Sequence, residues 1–394
     1  MSLSLPTKQS HDVSEIVRAI RLVCKFPNEL HEPVINEDDH ELVKQCLETT
    51  FVSTVGEFVP RFEQSLVEKT KIKHVVCLAS GTSALHLVLH ALGVESGEEV
   101  LVPSLSFVAT ANAVSHCGAV PHFVDIEKET LGICPERLRT YLSDHVRMCD
   151  GESFNITTGK KISALVCVHV FGHICRVEEL QEIAQEYRLA FIEDAAEALG
   201  SFRDGFHAGT YSDAAILSFN GNKIVTTGAG GAVLCRDSEL AQKVRHLAST
   251  AKVDKSSSAY FHDQVAFNYR MSNLNAALGC AQMNRLDKFL AIKRQIYDRY
   301  REAFRGLEQV RCLEEPVNCQ SNNWLNTIIF NENDQHLVDT VEKRCHQVGV
   351  GVRRVWDPLN SLPMYKNNPK SDLGNTKQLA SLILNLPSGC GVLG

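Results

Sequence analysis

The chain has 394 residues, 44% hydrophobic and 22% charged, and Lys plus Arg (40) against Asp plus Glu (47) leaves a formal charge of -7. At roughly 150 residues per domain, this is two or three domains of ordinary soluble composition, and its acidic balance disfavours nucleic-acid binding, which needs clustered positive charge. The longest apolar stretch is about half a membrane span, and the N-terminus lacks the basic-then-apolar pattern of a secretory leader, so a cytoplasmic protein with no membrane partner is expected.

Residues 1–55 precede the first strand and are expected to wrap the surface. The β-rich run 75–78 leads through Ala79-Ser80-Gly81-Thr82-Ser83 into the apolar-periodic run 84–92, a helix ended by Gly93. A strand over 100–102, a polar turn and a helix over 109–116 follow. Strands over 121–124, 164–170 and 189–192 come next, with a helix over 177–186 before the last of them. Runs 214–219 and 232–235 complete the set. This alternation predicts a three-layer α/β/α domain with a mainly parallel sheet, in which ligands bind at the carboxyl ends of strands. A helical pattern over 273–304 leads out of the large domain, and a smaller α+β domain follows from about residue 310. The predicted divisions are an N-terminal arm over 1–55, a large domain over 56–305 and a small C-terminal domain over 306–394, short at its end. The patch Asp254-Lys255-Ser256-Ser257-Ser258 reads as an exposed loop.

The 14 cysteines include no C-x-x-C pair. Cys77, Cys167 and Cys235 lie inside apolar runs, as free core cysteines do, which fits a reducing compartment. His169 and His173 have the spacing of a helical metal pair. Gly172 interrupts that segment, and no metal site is expected.

Four segments bear chemistry. Ser80-Gly81-Thr82-Ser83-Ala84, between strand and helix, offers free N–H groups and a positive dipole end to a phosphate, and by itself is equally a helix cap. It is not a Walker A loop, because no G-K-[ST] follows. Glu193-Asp194 ends an apolar strand. A carboxylate held there needs a cationic partner, such as a protonated pyridine nitrogen, or else it caps a helix over 195–199. Lys223 follows a strand by four residues and precedes a turn containing Gly228, Gly230 and Gly231. A Schiff-base lysine needs that fixed, desolvated setting, although most loop lysines are simply solvated. Asn268-Tyr269-Arg270-Met271-Ser272 opens the long helical pattern. With Phe107 as an aromatic face, the list Gly81, Thr82, Ser83, Phe107, Asp194, Ser218, Lys223 and Asn268 supplies what pyridoxal phosphate requires.

These segments, together with Val102-Pro103-Ser104-Leu105-Ser106-Phe107 and Gly118-Ala119-Val120-Pro121, resemble the DegT/DnrJ/EryC1/StrS family of sugar aminotransferases. The likeness runs from about His31 to Pro387. It implies the aspartate aminotransferase fold (fold type I of pyridoxal-phosphate enzymes). It also implies that Lys223 carries the cofactor and moves protons, and that Asp194 pairs with the pyridine nitrogen. Phe107 would stack on the ring, and Gly81, Thr82, Ser83 and Ser218 would hold the phosphate. Asn268 would reach the phosphate in the neighbouring subunit of a homodimer. Glu197 stands where the family often has Gln beside the cofactor, and His169 is a pocket-lining candidate or a satisfied core histidine. Arg353 and Arg354 lie where the small domain would meet the diphosphate of a nucleotide sugar, although a solvated basic pair reads the same way. Ala229 replaces a Glu usual in the glycine-rich turn.

Family members with His in place of the lysine are sugar 3-dehydratases, so Lys223 favours transamination. Leu30-His31-Glu32-Pro33 and Pro121-His122-Phe123-Val124-Asp125 are similar to a subgroup acting on a UDP-linked 4-keto-6-deoxy-N-acetylglucosamine, with L-glutamate as amino donor. A GDP-linked 4-keto-6-deoxymannose, giving perosamine, is the neighbouring reading. A regulator that kept the fold without catalysis is a third. A dinucleotide-dependent oxidoreductase is disfavoured, because no G-x-G-x-x-G follows the first strand.

Overall fold

A computed structural model describes residues 7–24, 28–253 and 260–393. The serine-rich patch at 254–258 lies outside the described residues. The large domain is built on β1 (His74–Leu78), β2 (Glu99–Pro103), β3 (Val120–Val124), β4 (Lys161–Val168), β5 (Ala190–Asp194), β6 (Ala214–Ser218) and β7 (Gly231–Cys235). Their spatial order is β1-β7-β6-β5-β4-β2-β3. Pairings from β6 through β3 are parallel, and β7 runs antiparallel to both β1 and β6.

The strands are apolar on both faces because helices cover both faces. Along β2, Val100 and Val102 enter one core with the helix Gly81–Ala91, while Leu101 enters the other with Leu165 and Cys167 of β4. That two-residue alternation makes three layers from a run of consecutive hydrophobic residues. The small domain holds a second sheet, β8 (Val310–Cys312), β9 (Asn326–Phe330), β10 (Arg353–Arg354) and β11 (Ile383–Leu386), in the order β8-β9-β11-β10.

Two expectations are corrected and one is extended. The helix Thr7–Val23 lies at the surface, with Leu22 68% exposed, and also buries a whole apolar face. Val13, Ile16, Val17, Ile20 and Val23 recur at helical spacing and are buried, packed with the helices Leu286–Ala303 and Gln335–Gln347. The pattern over 273–304 is two helices, Asn273–Met283 and Leu286–Ala303, broken at Asn284 and Arg285. Residues 195–199 form turns rather than a helix, so Glu193 and Asp194 cap no helix there. No helix among the described residues is long and apolar enough to cross a membrane.

Candidate active site

A cavity of about 1040 Å³ opens at the carboxyl ends of the parallel strands, closed on its far side by small-domain residues Trp324, Arg353, Trp356 and Lys377. The helix Gly81–Ala91 starts at its wall. Ser80 is the N-cap: its hydroxyl accepts the Ser83 N–H (3.0 Å), and the Ser83 hydroxyl accepts the Ser80 N–H (3.0 Å). Gly81 and Thr82 line the cavity beside Ser218. A Cβ on Gly81 would lie 2.9 Å from the Ser218 Cβ, and one on Gly231 would meet the Ser80 carbonyl carbon at 2.4 Å. The glycines therefore allow a helix N-terminus to close against two strand ends, leaving a cradle of backbone N–H groups and hydroxyls suited to a phosphate.

Asp194, the last residue of β5, forms the floor and is 7% exposed. Its carboxylate accepts the Thr110 hydroxyl (2.9 Å) and the Ala196 N–H (3.2 Å). Burial pushes its pKa up against the pull of Thr110, Ala196 and Lys223. A buried acid so placed is poised for a cationic N–H donor. Glu197 is also buried. One oxygen accepts the Phe171 N–H (2.9 Å), and the other lies 3.2 Å from the Lys223 ammonium. Phe171 holds a left-handed φ of 57°, which aims that N–H at the carboxylate. Desolvation raises the Glu197 pKa, and Lys223 opposes it. Lys223 sits between this carboxylate and the Trp324 ring, whose centroid is 3.9 Å from Nζ. Phe107 is 53% exposed at the rim, its ring 6.3 Å from that of Trp356.

Gly81, Thr82, Phe107, Asp194, Glu197, Ser218, Lys223, Arg353 and Arg354 thus converge on one cavity. Three others do not. The Ser83 hydroxyl is consumed by the capping box. His169 is fully buried behind the sheet, Nε2 bonded to Glu193 (2.8 Å) and Nδ1 facing the Cys175 N–H (3.4 Å), so it is a satisfied core histidine rather than a pocket residue. Asn268 is exposed and away from the cavity, its backbone bridged to Ser249. The arginine pair divides: Arg354 is tied to Glu342 (3.2 Å) and Asp339, whereas Arg353 is exposed and makes no ion pair among the described residues.

His173 does not join His169. The ligand atoms that cluster are those of Cys167, His169 and Cys175, within 4.8 Å of one another and fully buried. Desolvation opposes both shifts, yet Cys175 and Glu193 push His169 up to about 10, while Cys167 and His169 draw Cys175 down to about 6. Sequence reasoning missed Thr110, Trp324 and Lys377. The only available signal was that the chain's two tryptophans, Trp324 and Trp356, flank polar or basic runs.

The set fits pyridoxal 5′-phosphate: a phosphate cradle, a buried acid for the pyridine nitrogen, an aromatic rim and an enclosed lysine. The profile of the DegT/DnrJ/EryC1/StrS aminotransferase family matches residues 33–392. The chain belongs to that family. A GDP-perosamine synthase of Vibrio cholerae is 32% identical over 364 residues, covering 92% of this chain and 94% of that protein. The aminotransferase TlmJ from Streptoalloteichus hindustanus superposes with a TM-score of 0.82 at 25% identity, over 92% of this chain and 93% of its own. DesI, solved in the presence of its TDP-sugar product, superposes with a TM-score of 0.81 at 26% identity, over 93% and 88% of the two chains. The fold is the fold type I of pyridoxal-phosphate enzymes, and the chain is a pyridoxal-phosphate-dependent nucleotide-sugar aminotransferase.

Proposed function

We propose that this enzyme moves the amino group of L-glutamate to the C4 ketone of a nucleotide-linked 4-keto-6-deoxy sugar. The observation that carries the reading is Lys223, enclosed with Asp194 and Glu197 at the floor of one cavity. The bound cofactor supplies an electron sink and a carrier for the amine. Lys223 holds the cofactor and shuttles the proton at the reacting carbon. Asp194, steadied by Thr110 and Ala196, keeps the pyridine nitrogen protonated. Gly81, Thr82 and Ser218 bind the phosphate, Phe107 covers the ring, and Glu197 holds the proton of the Lys223 amine. Ser83 acts only by fixing the helix N-terminus.

Arg353 binds the diphosphate of the sugar nucleotide, while Arg354 anchors its strand through Asp339 and Glu342. R353A should raise the KM for the sugar nucleotide about tenfold or more, and R354A much less, because its charge is already paired. Asn268, exposed and without a side-chain hydrogen bond among the described residues, completes the phosphate site of the second subunit in a homodimer.

The sugar is either the UDP-linked 4-keto-6-deoxy-N-acetylglucosamine that the sequence motifs support or its GDP-linked deoxymannose counterpart, which the Vibrio cholerae relative favours. Incubation with L-glutamate and each 4-keto sugar nucleotide, read by mass spectrometry of the product, tests both. A 4-amino sugar from one of them is expected. No amination of any member of the panel would refute the substrate class.

A further inference from the structure

Lys293 is a lysine with no exposed surface and no ion pair among the described residues. Its ammonium donates to three carbonyls: Asn323 (3.2 Å), Trp324 (2.9 Å) and Ser388 (2.8 Å). Three protons meet three acceptors, so the group is satisfied, yet its charge is buried without a counter-ion, an arrangement that costs stability. Burial draws its pKa down to about 8.

What the lysine holds leads to the active site. The segment 321–324 crosses from the small domain onto the large one. The Ser321 hydroxyl donates to the Gly172 carbonyl (3.0 Å), and the Asn322 amide donates to the carbonyls of Glu197 (2.8 Å) and Leu199 (3.0 Å). Trp324 is 2% exposed, and its indole N–H donates to the Asn222 carbonyl (2.8 Å), one residue before Lys223. The same indole presents its face to Lys223 Nζ at 3.9 Å. One side chain therefore fixes the backbone before the active lysine and also faces its amine.

We propose that Lys293 is a positioning residue for the reaction: it pins the Asn323 and Trp324 carbonyls, which holds the Trp324 indole against Lys223 and so sets the position of the Lys223 amine. The inference rests on Lys223 being the cofactor-carrying lysine. Reduction of the loaded enzyme with borohydride and peptide mass spectrometry tests that premise separately: cofactor found on another residue would overturn the site reading itself.

The test of the inference uses the cofactor-free protein, in which Lys223 is faced by Glu197, Asp194 and His31. The rate of Lys223 acetylation at one fixed pH is followed by competitive labelling and peptide mass spectrometry. W324L should raise that rate about threefold or more, because the ring face covers and holds the ammonium. K293M should raise it too, and the K293M/W324L double variant should go no higher than W324L alone. The sign is diagnostic: loss of the Lys293 charge acting only through space would slow the reaction. In a W356F background, which leaves Trp324 the sole tryptophan, K293M should also red-shift the emission. K293Q, which keeps an N–H donor, should fall between wild type and K293M. A folded K293M or K293Q protein with an unchanged or lowered Lys223 acetylation rate overturns the proposal. So does W324L without a rise in that rate, whether or not the Lys293 variants fold.

Discussion

At the scale of single residues the site is a contest between burial and pairing. Asp194 and Glu197 are both carboxylates placed where desolvation favours the neutral acid, and each is held by a small number of donors. Asp194 has two neutral donors and no ion pair among the described residues, which leaves room for the one cation that the proposed pairing with a pyridine nitrogen would bring. D194N should retain the cofactor yet lose at least 100-fold in turnover, about 3 kcal/mol of transition-state stabilisation, measured as 2-oxoglutarate formed from glutamate. T110V removes one neutral hydrogen bond and should cost about tenfold. Asp194 and Lys223 were legible in the sequence because Asp194 ends an apolar strand and Lys223 lies a few residues past another, and strand ends are where α/β domains bind ligands. The same rule misled for His169. It also ends a strand, but the side chain faces the opposite layer, where Glu193 and Cys175 satisfy it. Trp324 was not legible, because a residue about a hundred positions beyond Lys223 meets it only through the packing of the two sheets.

At the scale of elements, the strand-to-helix junction at Ser80 does two jobs. The capping box with Ser83 fixes where the helix starts, at a typical value of about 1 kcal/mol, and the absent side chain of Gly81 lets that start touch Ser218. G81A should therefore weaken cofactor binding about tenfold in an apo-protein titration, because its Cβ must displace Ser218. S83A should cost about 1 kcal/mol of stability with little direct effect on the phosphate. Cap and phosphate site use the same residue types, so sequence alone left Ser83 with either role, and hydrogen-bond geometry separates it from Thr82. Helix boundaries read well where the periodicity was clean, as for Val177–Glu186. They failed at 284–285, where a break between two helices leaves the apolar period nearly in phase.

At the scale of the whole molecule, stability should depend on pH through two buried histidines. Desolvation holds His173 and His207 down to about 4 from 6.5. His207 Nε2 accepts the Gly200 N–H (2.8 Å) and its Nδ1 side meets the Ala208 carbonyl (2.6 Å), so protonation breaks a hydrogen bond. Between those pH values the unfolded chain binds more protons. Stability is therefore full above about pH 6.5 and is lost as pH falls towards about 4, by about 2 kcal/mol per histidine between pH 7 and pH 5. Asp194 and Glu197 act in the opposite sense, since their raised pKa values make protonation favour the folded state. Urea unfolding of wild type and H207Q at both pH values checks this: the difference between the two proteins should change with pH. The order of strands was legible only as alternation. The antiparallel β7, and the burial of the first helix against Leu286–Ala303, depend on contacts across the chain that no local pattern encodes.

The most direct measurement is the visible absorption spectrum of the purified protein supplied with pyridoxal phosphate, repeated after addition of L-glutamate. A yellow band that bleaches with glutamate in wild type, and is absent from K223A, is the predicted result. A protein that shows no such band, or a K223A variant that keeps it and still turns over glutamate, would contradict the account.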